Sequence, residues 1–371
     1  MPRSEGLAIT TIGLVTLLVA LLAWHDDPAS AQSTAADTTI VVNTAQDKSN
    51  AGGDCSLREA IRAANSNAAV GACAAGRARA RDAVHFSLGR GATIVLKRAL
   101  PAITDKAGLT IYGGKTAKIV VSGDDEVRVF TVKQGAKLDL RNLTVANGFA
   151  QANSGGGQIG GGIKNNGGTL KVFRSTLVGN NALAVGGGIA NIGGTLRVNN
   201  STLSGNRAGL AGGGILNDGK LRVTYSTFSN NDTELIGGGI QNANDKAATV
   251  TLSNTVLANS AGGNINNVCA GGTCKGKIVD GGYNISDDVS FRFTTQTSKA
   301  RTNPGLDTAG LQYNGGPTKT IALQRTSPAV NSIPKGTNGC GTTTKIDQRG
   351  VQRPQGKKCD AGAFEKELQQ R

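Results

Sequence analysis

Gly186-Gly187-Gly188-Ile189, Gly212-Gly213-Gly214-Ile215 and Gly237-Gly238-Gly239-Ile240 are one phrase written three times, with Gly160-Gly161-Gly162-Ile163 before them and a degenerate Gly262-Gly263-Asn264-Ile265 after. The steps between copies are 26, 26, 25 and 25 residues. A second phrase keeps the same beat: Ser175-Thr176-Leu177, Ser201-Thr202-Leu203, Ser226-Thr227-Phe228 and a shifted Asn254-Thr255-Val256. Two phrases locked to one period mark a solenoid, in which each repeat buries its apolar residues only by stacking on the next.

Each period holds three short β-favouring pieces, such as Gly188-Ile189-Ala190, Thr195 to Val198 and Ser201 to Leu203, parted by Gly and Asn that permit positive φ. That pattern predicts an all-β, right-handed parallel β-helix with coils of about 25 residues. Every coil then covers the hydrogen-bonding edge of its neighbour about 4.8 Å away. Alternation sends Leu170 and Val172, Leu196 and Val198, and Leu221 and Val223 inward. Lys171, Arg197 and Arg222 between them face outward as a basic ladder, the candidate ligand-binding residues. Asn180, Asn206, Asn231 and Asn259 are expected at equivalent turns as a stack of amides bonded along the axis. The glycine triplets lack a following Gly-Lys-Ser/Thr and open no helix, so they are turn and clearance positions and not a nucleotide cradle.

Upstream, Ala92 to Leu96, Leu109 to Tyr112, Lys118 to Val121, Val127 to Val132 and Leu138 to Val145 are β-favouring runs without the strict period, as in irregular early coils. Before them, Leu57, Ile61 and Ala64 sit at helical spacing with Glu59 in the first turn, which predicts a short N-terminal capping helix. At the start of the chain, Arg3 precedes an apolar run from Leu7 to Trp24, and Ala29-Ser30-Ala31 offers a small-x-small cleavage site. The resulting plan is a signal peptide over 1–31, an N-terminal cap region over 32–90, the parallel β-helix over 91–300 and a C-terminal cap over 301–371. An exported protein follows, either secreted or at the cell surface, that meets the membrane only through the signal segment before cleavage.

Removing 1–31 leaves 39 basic against 22 acidic side chains, a net charge of +17. Such a surface favours an acidic partner, a polysaccharide or an envelope polymer. Cleavage also removes Trp24 and His25 and leaves His85 as the one histidine. Triad chemistry and most zinc sites therefore lack their usual parts, and no metal or cofactor is expected. Six cysteines fall into local couples, Cys55–Cys73, Cys269–Cys274 and Cys340–Cys359, expected as disulfide staples because none has CxxC spacing. Local pairing is the simplest of the possible connectivities. The alternating Arg77, Arg79 and Arg81 are expected on a solvated loop.

Cys55-Ser56-Leu57-Arg58-Glu59-Ala60-Ile61 resembles the CSLREA-type N-terminal region of bacterial β-helix proteins of pectin-lyase-like fold. Asp82-Ala83-Val84-His85-Phe86 stands where that family has a strand, with His85 replacing an apolar residue. Asn314-Gly315-Gly316-Pro317-Thr318, Ser327-Pro328-Ala329-Val330, Asp347-Gln348-Arg349-Gly350, Arg353-Pro354 and Asp360 to Glu365 resemble the choice-of-anchor Q domain. The resemblance implies a secreted or surface β-helix and no particular reaction. No LPxTG phrase or apolar tail stands between Glu365 and Arg371. The charged residues Asp347, Arg349, Arg353, Asp360 and Glu365 are expected to pair within a disulfide-stapled cap at the end of the solenoid.

The leading expectation is a non-catalytic, adhesin-like binding or structural scaffold for acidic polymers. The alternative is a polysaccharide lyase or hydrolase with a divergent site, since this fold hosts such enzymes. The ordered Asp phrases of the hydrolases are missing, and the pairs Asp124-Asp125 and Asp287-Asp288 stand apart. An ice-binding solenoid would need an outward threonine row, for which Thr176, Thr202, Thr227 and Thr255 are the candidate file.

Overall fold

The computed structural model describes residues 39–49, 52–151, 157–243, 248–268 and 275–367. The expected signal peptide and the expected Cys269–Cys274 bridge lie outside them. The chain forms an all-β parallel solenoid with one helix near its N-terminus. Two long parallel stacks make its walls. One runs from Thr39–Val42 through Asp82–Phe86, Leu109–Tyr112, Lys137–Arg141, Thr169–Phe173, Ile189–Asn199 and Ile215–Thr224 toward Thr249–Ser253 and Lys277–Asp280. The other runs from Thr93–Val95 to Ile285–Ser286 and includes Thr176–Val178, Thr202–Ser204 and Thr227–Ser229. The stack thus includes Thr39–Val42 and Asp82–Phe86, inside the expected N-terminal cap region.

The core is a set of files along the axis. Ile163, Ile189, Ile215, Ile240 and Ile265 follow one another in register, as do Leu138, Leu170, Leu196, Leu221 and Val250. All are buried. The glycine triplets explain themselves geometrically. The first glycine of each has positive φ, as at Gly186 and Gly212, where a β-branched residue would be strained. The middle one lies so close to the next coil that a Cβ at Gly187 would meet Arg207 O at 2.1 Å and one at Gly213 would meet Asp232 O at 2.2 Å.

The helix Leu57–Ser66 has a capping box, with the Ser56 hydroxyl accepting from Glu59 N and the Glu59 carboxylate accepting from Ser56 N. Its buried Leu57, Ile61 and Ala64 join Ile40 and Val42 of the first strand in one cluster. Cys55–Cys73 closes this region, and Cys340–Cys359 closes the C-terminal one. Buried disulfides of this kind are at home in an oxidising, extracytoplasmic setting.

The segment after residue 300 carries the Cys340–Cys359 staple of the C-terminal cap. It folds back and lies along the flank, over the stack that carries the Ser-Thr-Leu phrases. Thr176 Oγ1 donates to Lys319 O at 2.7 Å, Thr202 Oγ1 to Gln348 Oε1 at 2.7 Å, and Ala363 N donates to Thr227 Oγ1 at 3.0 Å. The threonine file is therefore buried and holds the C-terminal segment, so it is not a surface for ice. Thr255 is not in that file at all: Val256 stands opposite Thr227, and the Thr255 hydroxyl bonds Ser253 O.

Candidate ligand-binding face

The wall opposite in kind to the threonine flank carries the basic ladder. Register places Lys171 beside Arg197 and Arg197 beside Arg222, with Asp139 one coil before and Thr251 one coil after. Successive members are about one coil, about 4.8 Å, apart. All three are half-buried at the stem, as expected when long side chains lie on a sheet and keep their charges in water. Lys137, Arg141, Lys220 and Lys277 occupy outward positions of the same wall. Asp218 is one outward acid of these described strands, and Asp139 is the other. It is 3% exposed, and its Oδ2 accepts from Arg141 Nη2 at 2.6 Å and Nε at 3.0 Å.

Like charges on facing positions of adjacent strands repel, costing a few tenths of a kcal/mol or more per pair, roughly 0.2–1. Three cations in consecutive rungs also repeat at a pitch that an anionic chain could follow with charge-assisted hydrogen bonds.

Beside the cations runs a file that sequence reasoning missed. Val41, His85, Tyr112, Arg141, Phe173, Asn199, Thr224 and Ser253 are successive partners at the outward position two residues on. His85 and Tyr112 meet edge to face with ring centroids 5.5 Å apart. The Phe173 ring has the Arg141 and Arg174 guanidinium carbons 5.7 and 5.9 Å from its centroid. Burial lowers the pKa of Arg174, though a guanidinium stays charged in a protein. The steps along this file are 27, 29 and 32 residues from His85 to Phe173. That drift hid it, because no fixed period links the rings.

The amide stack exists but is displaced at its end. Asn180 Nδ2 donates to Asn206 Oδ1 and Asn206 Nδ2 to Asn231 Oδ1, each at 2.9 Å. Asn259 does not continue it. Ser229 pairs with Ala258, so Asn259 matches Asn230, and both have positive φ. Asn259 is exposed and its N–H donates to Asp287 Oδ2. A second, longer stack went unread: Asn165, Asn191, Asn217, Asn242 and Asn267 donate one to the next at 2.7–2.9 Å. Its signal was in the repeat itself, where Ile-x-Asn follows every glycine phrase.

The other charged groups singled out in the sequence sit in turns or in the C-terminal segment. Asp288 accepts from Asn264 N, Ser286 Oγ and Ser290 Oγ, and Asp124 and Asp125 occupy a positive-φ turn. Arg353, Glu365, Asp360, Asp347 and Arg349 form the buried joint between the C-terminal segment and the flank. His85 is an outward member of the ring file. Among the described residues no group of three or more His, Cys, Asp or Glu is gathered in a way that could hold a metal. Compared with protein-family models and with the sequences of curated proteins, the chain matches none.

Proposed function

We propose that this chain is an exported, non-catalytic scaffold of adhesin-like type that binds a linear acidic polymer along its basic wall. The observation that carries this is the in-register file Lys171, Arg197 and Arg222 on a wall where Lys137, Arg141, Lys220 and Lys277 are also outward, against the outward acids Asp139 and Asp218 of its described strands. A repeating row of cations matches a repeating row of anions better than it matches a single reacting centre. The signal-like segment at 1–31, the buried disulfides and the CSLREA-type and choice-of-anchor Q-like phrases support release to the surface or the medium.

Purified protein lacking 1–31 is expected to retain acidic polysaccharides in a pull-down and to ignore neutral ones. Neither unsaturated products nor new reducing ends should accumulate. Cleavage of any polymer in that panel would instead make the chain a polysaccharide lyase or hydrolase.

A further inference from the structure

The ring file narrows the ligand class. Resting on the basic wall as the binding surface, we infer that the polymer is an acidic polysaccharide laid along the solenoid axis, with sugar rings packed on Tyr112 and Phe173 and carboxylates on Lys171, Arg197 and Arg222. Aromatics make up 4% of the chain, yet Tyr112 and Phe173 share one outward file with His85, two residues along the strand from the cations. Ring faces offer nothing to a bare phosphate chain. They do offer a flat apolar platform to the C–H face of a pyranose, whose hydroxyls then remain free for Asn199, Thr224 and Arg141.

The two files overlap at one coil and diverge from there. Phe173 and Lys171 lie on the same strand, Thr169–Phe173. Toward the N-terminus the wall offers Tyr112 and His85; toward the C-terminus it offers Arg197 and Arg222. From His85 to Arg222 is five coil steps, about 24 Å. A bound chain must therefore present ring faces over one half and anions over the other, which a polyuronate does along its whole length. Nucleic acid also combines rings with anions, but its bases must be unstacked and splayed to reach such a platform. Export favours the sugar polymer.

The test compares polygalacturonate, inorganic polyphosphate and single-stranded DNA by titration against the protein lacking 1–31. The variants are Tyr112→Ala/Phe173→Ala and, to keep apolar bulk without the ring, Tyr112→Leu/Phe173→Leu; their folding is checked by thermal unfolding. Both are expected to weaken polygalacturonate roughly tenfold and to leave polyphosphate binding unchanged, whereas Arg197→Gln/Arg222→Gln should weaken both. If folded ring variants bind polygalacturonate like the parent, the inference fails while the basic wall stands. If the arginine variants also bind it like the parent, the basic-wall reading fails as well. Tighter binding of single-stranded DNA than of polygalacturonate by the parent protein would overturn the assignment in favour of nucleic acid.

Discussion

Arg353→Met is expected to cost about 3–5 kcal/mol and to loosen the C-terminal segment from the solenoid. Arg353 is the largest fully buried side chain among the described residues. Its Nη1 donates to Glu365 Oε2 at 2.7 Å and to Asp360 O at 2.8 Å, and its Nη2 donates to Gly362 O at 2.7 Å. The guanidinium also lies 4.7 Å from the Tyr225 ring centroid and 3.5 Å from Asn200 Oδ1, so it braces the segment from within by charge and meets the flank through that ring and amide. Without it, Glu365 and two carbonyls are left buried and under-bonded. Replacing both charges, Arg353→Met with Glu365→Leu, should recover much of the loss, because no lone ion is then buried. Chemical denaturation measures the stability, and limited proteolysis reads the release of the segment. A single variant as stable as the parent, or a double variant no better than the single, would contradict this account of the joint.

The same joint sets a pH dependence. The Glu365 carboxyl is pushed up to about 7, first by burial, with Arg353 opposing and the like charge of Asp360 adding to the rise. Asp360 is raised too, first by burial, while the N–H groups of Asn331 and Lys366 and the charges of Arg353 and Lys366 pull the other way. A carboxyl whose pKa is higher folded than unfolded stabilises most below its unfolded value and loses that contribution as pH climbs through its folded value. Docking of the segment should thus be tighter near pH 5 than near pH 8, and more steeply so in Arg353→Met, where the opposing charge is gone.

Asn191→Leu is expected to cost about 2–4 kcal/mol, at the upper end for a buried neutral side chain, because it breaks a cooperative row. Asn191 accepts from Asn165 Nδ2 at 2.7 Å and donates to Asn217 Oδ1 at 2.8 Å and to Gly194 O at 3.1 Å. The leucine has a similar volume but leaves the Asn217 Oδ1 atom and the Gly194 carbonyl without that donor in a dry interior. Asn259→Gly serves as the contrast. Asn259 is exposed with φ at 55°, a conformation glycine adopts freely, so its change should be close to neutral. Equal losses at the two positions in urea denaturation would show that the amide rows do not stabilise the coils as their geometry implies.

The solenoid could be read from the chain because its period is written twice, by Gly-Gly-Gly-Ile and by Ser-Thr-Leu, and because Leu-x-Val brackets each ladder cation. Local pairing of cysteines likewise brought out Cys55–Cys73 and Cys340–Cys359. What escaped depends on contacts far apart in sequence or on coils of unequal length. Thr202 meets Gln348 across 146 residues, and nothing local to either residue announces it. The file from His85 to Phe173 crosses the irregular coils, where insertions shift every rung. Asn259 failed for a third reason: counting from the phrase Asn254-Thr255-Val256 slips the alignment by one residue, and in a β-coil one residue exchanges an inward position for a turn.

The most direct measurement of polymer binding on the basic wall is a salt titration of polygalacturonate affinity for the protein lacking 1–31 and for Lys171→Gln/Arg197→Gln/Arg222→Gln. The parent should bind with affinity that falls steeply as salt rises, since exposed ion pairs are screened within about 10 Å at 0.1 M. The triple variant should bind more weakly at low salt, with a shallower salt dependence and an unchanged unfolding midpoint. Equal affinity and equal salt dependence for the two proteins would contradict the assignment of this wall as the binding surface.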